Sequence, residues 1–112
     1  MKRILFVCTG NTCRSPMAAA LYNQRYAQDG SSADSAGLAA FHPAKMSIPA
    51  RKVLREVYGI KADAHEAKPV TADLIDRSDL VLTMTREQAA FLAARFPGQK
   101  PKIMSLGELA DE

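Results

Sequence analysis

The sequence is poor in several residue types and patterns, and each shortage excludes a class of protein. It has no tryptophan and only 2 cysteines among 112 residues. Two cysteines are too few for a disulfide-rich secreted scaffold, and in a reducing compartment they indicate a reactive thiol. The apolar run near the N-terminus, ILFV, has only 4 residues, which is too short for a signal-peptide core or a membrane span. We therefore expect a cytoplasmic location and no membrane partner.

No part of the chain concentrates charge of one sign. The 15 basic and 12 acidic residues give a formal net charge of +3, and the basic residues are scattered rather than clustered as in nucleic-acid-binding proteins. We expect no nucleic-acid partner and only a mild preference for anionic ligands. His42 and His65 are isolated, so we expect no metal site and no cofactor. The length predicts one domain over residues 1–112, without repeats or linkers.

Strand-like and helix-like segments alternate along the chain. Short apolar runs predict strands at residues 4–7, 32–38, 79–84 and 102–106. Helix signals lie between them, which predicts βαβ units and hence an α/β fold with a mostly parallel sheet and helices on both faces. Ligands of such sheets bind at the carboxyl ends of the strands.

Polar residues at characteristic positions predict where the helices begin. The starts are Ser15 as an N-cap followed by Pro16, Ser47 followed by Pro49, and Thr85 in a capping box with Gln88. A further short helix is predicted at residues 71–77, and the glycine at 59 and the Pro-Gly pair at 97–98 are predicted stops. The second helix has apolar residues at helical spacing, which predicts a buried face of Ala50, Val53, Leu54 and Val57.

The stretch VCTGNTCRSP follows the first predicted strand and holds both cysteines. Gly10 and Asn11 tolerate left-handed backbone geometry, so the loop can turn its N–H groups inward as a nest for an anion. The helix starting at Ser15 adds partial positive charge, and Arg14 can bind two oxygens of a phosphate with its planar fork. The same field favours a thiolate at Cys8. The loop therefore predicts nucleophilic phosphoryl transfer through a cysteinyl-phosphate.

The motif FVCTGNTCRSPMA closely resembles the phosphate-binding loop of the low-molecular-weight protein tyrosine phosphatase family. The segments DSAG, HEAKPV and DLVLTMT resemble later segments of the family, so the similarity covers nearly the whole chain. The resemblance implies a three-layer α/β fold around a four-stranded parallel sheet, phosphotyrosine phosphatase I-like and Rossmann-like. It also implies a phosphorylated protein as substrate, with phosphate or another oxyanion bound in the loop.

The resemblance also implies roles for individual residues. Cys8 would be the nucleophile and Arg14 the clamp on the phosphate. Asn11, in a strained left-handed position, would be held by a network that includes Ser35 and His65. The implied phosphate-binding residues are Thr9, Gly10, Asn11, Thr12, Cys13, Arg14 and Ser15, and the Ser15 hydroxyl would donate a hydrogen bond to the thiolate.

Thr12 and Thr85 bear on the substrate. Tyrosine-specific members of the family resemble one another in having a bulky aliphatic residue at the Thr12 position. Bacterial protein arginine phosphatases, a branch of the same family, carry CTGNTCRS as this chain does. Thr85 is also similar to the arginine branch, since tyrosine phosphatases more often have Asp there. The resemblance therefore favours phosphoarginine, and phosphotyrosine is the alternative if Thr12 is a neutral variant.

Cys13 has two open interpretations. It packs behind the loop, or it traps oxidised Cys8 as a disulfide and so protects Cys8 from irreversible oxidation. Arsenate reductase is a further alternative within the fold, but that chemistry needs additional cysteines to pass a disulfide to a reductant. No cysteine follows Cys13, which argues against it.

The family pattern includes an Asp-Pro-aromatic loop, whose Asp is the general acid, and a final helix. The sequence contains no Asp-Pro pair, and Asp111 and Glu112 do not match the motif. A positioned acid contributes about 10²–10⁴-fold, so we expect a C-terminally short domain with weak turnover of poor leaving groups. A non-catalytic phosphate-binding pseudo-phosphatase stays open as an alternative. The sequence predicts no oligomeric state.

Overall fold

A computed structural model describes residues 2–110, and a parallel sheet lies at its centre. Within these residues the strands are β1 (Arg3–Cys8), β2 (Ser32–Gly37), β3 (Leu80–Thr83) and β4 (Ile103–Ser105). Their order across the sheet is β2-β1-β3-β4, and each neighbouring pair is parallel. The predicted α/β fold with a four-stranded parallel sheet is confirmed.

Helices connect the strands and cover the sheet. Among the described residues they are α1 (Arg14–Tyr26), α2 (Ile48–Tyr58), α3 (Ala72–Asp76), α4 (Arg86–Arg95) and α5 (Leu106–Ala110), with 3₁₀ turns at Ala27–Asp29 and Pro97–Lys102. None of the helices within residues 2–110 is long and apolar enough to cross a membrane. The 3₁₀ turns and α5 carry no strong start signal and were not predicted.

The central strand β1 is buried on both faces. Leu5 and Val7 pack on one face, in a cluster with Ile75, Val81 and Leu92. On the other face, Ile4 and Phe6 pack with Ala19 and Leu82. A strand covered on both sides needs the uninterrupted apolar run ILFV rather than an alternating pattern. This burial fixes the carboxyl end of β1, and with it the start of the cysteine loop.

The predicted caps of α2 and α4 are confirmed. The Ser47 hydroxyl accepts a hydrogen bond from the Ala50 N–H at 3.3 Å, and Gly59 ends α2 with a left-handed φ of 68°. At the start of α4, Thr85 and Gln88 form the predicted capping box. Local sequence signals therefore fix these helix ends.

The start of α1 differs from the prediction. Arg14 is its first residue and Cys13 is the N-cap, without a side-chain capping bond. The prediction of Ser15 as the N-cap is wrong, because its fully buried hydroxyl lies against Cys8 Sγ instead. Serine often caps a helix, but Ser15 instead forms a hydrogen bond with the sulfur of Cys8.

The buried face of α2 is narrower than predicted. Ala50 and Leu54 are buried and pack in a cluster with Met17 of α1. Val53 and Val57 are 41% and 67% exposed, so their prediction as core residues is wrong. The packing with α1 covers only a narrow stripe of α2, and helical spacing alone cannot give the width of such a stripe.

Candidate active site

The loop between β1 and α1 lies at the carboxyl edge of the sheet, where the sequence predicts the site. Backbone hydrogen bonds hold it against the segment that follows β2. Leu38 N–H donates to Cys8 O and Ala39 N–H donates to Thr9 O, both at 2.9 Å. Further along, Ser47 N–H donates to Thr12 O at 2.8 Å. The loop is therefore held in a defined shape by its neighbours as well as by its own residues.

The thiol of Cys8 lies at the base of this loop. Its side chain is buried, with 6% exposure, and Ser15 is fully buried beside it. The distance from Cys8 Sγ to Ser15 Oγ is 2.9 Å, and Asn11 N–H donates to Cys8 Sγ at 3.2 Å. Two hydrogen bonds thus converge on the sulfur, and donors in this arrangement stabilise a thiolate.

The direction of the Cys8–Ser15 hydrogen bond follows from the amide of Asn11. Lys68 N–H donates to Asn11 Oδ1 at 3.0 Å, which requires the oxygen of the amide to face Lys68. The other end of the amide, Nδ2, then donates to Ser15 Oγ at 2.9 Å. The Ser15 proton is therefore free to point at Cys8 Sγ, and a thiolate at Cys8, which carries no proton, can only accept it.

The backbone of Asn11 is in the left-handed region, with a φ of 57°, as predicted. Its carbonyl oxygen lies 2.8 Å from His65 Nε2. A carbonyl can only accept, so His65 donates from Nε2. This bond opposes relaxation of a backbone conformation that residues with a Cβ rarely adopt.

The role of Ser35 in the network stays a prediction. Ser35 is buried on β2, and the hydrogen bonds of Asn11 within the described residues run to Cys8, Ser15, His65 and Lys68. Any support that Ser35 gives to Asn11 would therefore be indirect.

Lys68 had no predicted role, although it lies in the segment HEAKPV. Its ammonium contacts both carboxylate oxygens of Asp34, at 2.7 and 2.8 Å. Its carbonyl accepts from Gly37 N–H at 2.9 Å. Lys68 is therefore tied to β2 by both its side chain and its backbone, and its own N–H orients Asn11.

Gly37, at the end of β2, lies unusually close to the loop. A Cβ at this position would lie 2.7 Å from Thr9 O and 3.1 Å from the Cβ of Asn11. Real side chains do not tolerate the first of these distances, and the atom involved is backbone. The close approach of β2 to the loop therefore requires glycine.

The remaining predicted residues of the loop are half-buried or exposed. Arg14 is exposed, and its guanidinium has no hydrogen bond or ion pair with the part of the chain that the structure describes. Gly10 and Thr12 are half-buried. Cys13 is an exposed free thiol, so the interpretation that it packs behind the loop is wrong.

Thr85 and Thr9 are joined through one side chain. Thr85 N–H donates to Gln88 Oε1 at 3.1 Å, and Gln88 Nε2 donates to Thr9 Oγ1 at 3.2 Å. Gln88 was predicted only as a capping residue. Asp111 and Glu112 lie outside the described residues.

The loop brings a sulfur nucleophile together with groups that bind anions. The sulfur of Cys8 is buried and has two hydrogen-bond donors beside it. The loop around it leads into α1, and the guanidinium of Arg14, at the end of this loop, has no partner among residues 2–110. Such a site suits an oxyanion above a sulfur nucleophile.

Comparisons with known proteins agree with this geometry. A family model described as low molecular weight phosphotyrosine protein phosphatase matches residues 3–112. A protein-arginine-phosphatase of Geobacillus stearothermophilus is 42% identical over 97% of this chain and 77% of its own length. The probable low molecular weight protein-tyrosine-phosphatase EpsP of Ralstonia solanacearum is 39% identical over 97% of this chain and 73% of its own.

A solved structure is also similar to this chain. It is a YwlE arginine phosphatase in which a mutant active-site serine, in place of cysteine, is phosphorylated. It has a TM-score of 0.89 and 37% identity, and the match covers 96% of this chain and 70% of that one. The chain therefore belongs to the low molecular weight phosphotyrosine protein phosphatase family.

Proposed function

We propose that this phosphatase hydrolyses phosphoarginine in proteins, with Cys8 as its nucleophile. The observation that carries the proposal is the pair of hydrogen bonds on Cys8 Sγ, from the Ser15 hydroxyl at 2.9 Å and from Asn11 N–H at 3.2 Å. Two donors that converge on one buried sulfur stabilise the negative charge that a nucleophilic sulfur carries. The phosphorylated active-site serine of the YwlE mutant supports a covalent phosphoenzyme of the same kind.

In the first step the loop binds the phosphoryl group of the substrate. The N–H groups of residues 9–15 and the fork of Arg14 contact its oxygens and offset their negative charge. The Cys8 thiolate attacks phosphorus in line with the bond to the guanidine nitrogen. The P–S bond forms as the P–N bond breaks, and the leaving nitrogen takes the electron pair and a proton from solvent water.

In the second step water attacks the phosphorus of the cysteinyl-phosphate. The P–O bond forms, the P–S bond breaks and the proton of the water passes to phosphate or solvent. The sulfur leaves as a thiolate, and the donors at Ser15 and Asn11 stabilise it as the charge returns. The same two hydrogen bonds therefore favour both the attacking and the departing sulfur.

Substrate choice rests on Thr12, which is half-buried in the loop, and on Thr85 at the start of α4. The match to a protein-arginine-phosphatase at 42% identity supports phosphoarginine. Phosphotyrosine is the second candidate, because the family model and a relative at 39% identity carry that name. Phosphorylated proteins are the proposed partners and the cytoplasm the proposed location.

Phosphate release from matched phosphoarginine and phosphotyrosine peptides tests the proposal, with Cys8→Ser as the blank. We expect higher kcat/KM for phosphoarginine. In Thr12→Ile, a bulkier aliphatic side chain should shift the ratio towards phosphotyrosine. A preference for phosphotyrosine in the wild-type protein would contradict the substrate proposal, and release that persists in Cys8→Ser would contradict the mechanism.

A further inference from the structure

We propose that Gln88 is a positioning residue for the active site, which holds the phosphate-binding loop to the β3–α4 turn through Thr9. The proposal rests on the proposed function, because it concerns the geometry in which that reaction occurs. Gln88 is buried, with 8% exposure. Its Oε1 accepts from Met84 N–H at 3.0 Å and from Thr85 N–H at 3.1 Å, and its Nε2 donates to Thr9 Oγ1 at 3.2 Å.

The hydrogen bond from Gln88 to Thr9 is not part of a capping box. In a capping box the side chain at this position uses only an oxygen, so glutamate serves as well as glutamine. Here the oxygen is committed to two backbone N–H groups of the turn, which fixes the orientation of the amide. The NH₂ end must then face the loop, and the Thr9 hydroxyl oxygen must accept from it. The bond joins positions 79 residues apart.

Thr9 is held from two sides as a result. Its carbonyl accepts from Ala39 N–H at 2.9 Å, on the β2 side of the loop. Its hydroxyl binds Gln88 on the α4 side. Thr9 directly follows Cys8 and supplies the first N–H of the predicted phosphate nest. A shift of this residue would move the nest relative to the sulfur.

The same amide ties Thr85 to the loop. Thr85 and Thr12 are the two residues that bear on substrate choice, and they belong to different segments of the chain. Gln88 therefore links the two segments that carry these residues. Misplacement by about 1 Å can cost about 10²-fold in rate, so a single buried amide can have a large effect here.

A double-mutant cycle between Gln88 and Thr9 tests the proposal. Gln88→Met keeps the volume and removes the amide, and Thr9→Val keeps the volume and removes the hydroxyl. We expect each to lower kcat/KM for p-nitrophenyl phosphate by about tenfold. The double variant should lie within about twofold of the weaker single variant, because residues that act through one contact are not additive. Thr9→Ser keeps the acceptor and should recover most of the kcat/KM that Thr9→Val loses.

A stability control separates positioning from loss of the helix cap. Thr71 caps α3 by accepting from Leu74 N–H at 3.2 Å, and its hydrogen bonds within residues 2–110 run only to Leu74 and Ile75 of α3. Thr71→Ala should lower Tm, as Gln88→Met does, but leave kcat/KM unchanged. Additive effects of Gln88→Met and Thr9→Val, or wild-type kcat/KM in Thr9→Val, would overturn the proposal.

Binding of inorganic phosphate keeps this proposal distinct from the proposed function. The titration is followed through the amide resonances of residues 9–15. If the wild-type protein has no Cys8-dependent turnover, the proposed function fails. The role of Gln88 then stands if Gln88→Met weakens phosphate binding by about tenfold, and it is overturned if the affinity is unchanged or if the loop binds no phosphate.

Discussion

The side-chain amide of Asn11 donates to the hydroxyl oxygen of Ser15 across 2.9 Å, and this contact leaves the Ser15 proton free for Cys8 Sγ. Lys68 N–H holds the amide oxygen from the other side at 3.0 Å. A chain of hydrogen bonds therefore runs from the backbone of Lys68 through Asn11 and Ser15 to Cys8 Sγ. The donors of the first two links are fixed, and a thiolate at Cys8 leaves Ser15 as the donor of the last one.

Replacement of Asn11 by aspartate should reverse this chain. Asn11→Asp keeps the oxygen that faces Lys68 but exchanges the NH₂ group for a second acceptor. Ser15 would then donate to the carboxylate and not to Cys8. Hydrogen bonds to charged groups contribute about 1.5–3 kcal/mol, so we expect Cys8 to be alkylated by iodoacetamide about tenfold more slowly at pH 7. Both proteins also carry Cys13→Ser, so that Cys8 is the cysteine that reacts. An unchanged rate of alkylation would contradict the proposed hydrogen bond from Ser15 to Cys8.

Loss of the His65 side chain should destabilise the loop. His65→Ala removes the donor to Asn11 O, and we expect the free energy of unfolding to fall by about 1–3 kcal/mol. kcat/KM should fall as well, because Asn11 can then leave its left-handed conformation. His42→Ala is the matched control, since His42 Nδ1 lies 3.0 Å from another backbone carbonyl, Ala67 O. Equal loss of kcat/KM in both variants would count against a specific role of His65.

A methyl group at position 37 should displace the loop. Gly37→Ala places a Cβ 2.7 Å from Thr9 O, so β2 and the loop must separate. We expect a loss of about 1–3 kcal/mol in the free energy of unfolding and a loss of about 10²-fold in kcat/KM. Gly98→Ala is the control, because a Cβ there meets no atom within 4 Å. Wild-type kinetics in Gly37→Ala would show that the close approach has no consequence for the site.

Cys13 should protect Cys8 from irreversible oxidation. Peroxide oxidises the Cys8 thiolate to a sulfenic acid and is itself reduced. Attack by the Cys13 thiol then forms the disulfide and releases water, and added thiol restores both cysteines. Cys13 is a free, exposed thiol. We expect wild-type activity to recover after peroxide followed by dithiothreitol, and Cys13→Ser to recover much less. Equal recovery of the two proteins would dismiss the redox role.

The sequence predicts local features of this molecule well. The ends of α2 and α4, the left-handed Asn11 and the place of the loop at the end of β1 all follow from nearby residues. The resemblance of the motifs adds His65. These predictions succeed because caps, turns and strand burial depend on short stretches of chain.

Contacts between distant segments were not predictable in the same way. Lys68 reaches Asn11 across 57 positions and Gln88 reaches Thr9 across 79. Gly37 has an ordinary sequence context, and only the packing of β2 against the loop makes it necessary. Ser15 looks like an N-cap from sequence, yet the thiol uses its hydroxyl. The roles of these residues depend on tertiary contacts, and no local sequence pattern encodes those contacts.

Oxygen exchange into inorganic phosphate tests the cysteinyl-phosphate most directly, because it is the reverse of the hydrolysis step and requires no particular phosphorylated substrate. Attack of Cys8 on oxygen-18-labelled phosphate releases one labelled oxygen as water, and bulk water then returns an unlabelled oxygen to phosphorus. We predict that the wild-type protein removes the label from phosphate and that Cys8→Ser does not. Retention of the label by the wild-type protein, or equal loss in Cys8→Ser, would contradict a cysteinyl-phosphate at Cys8.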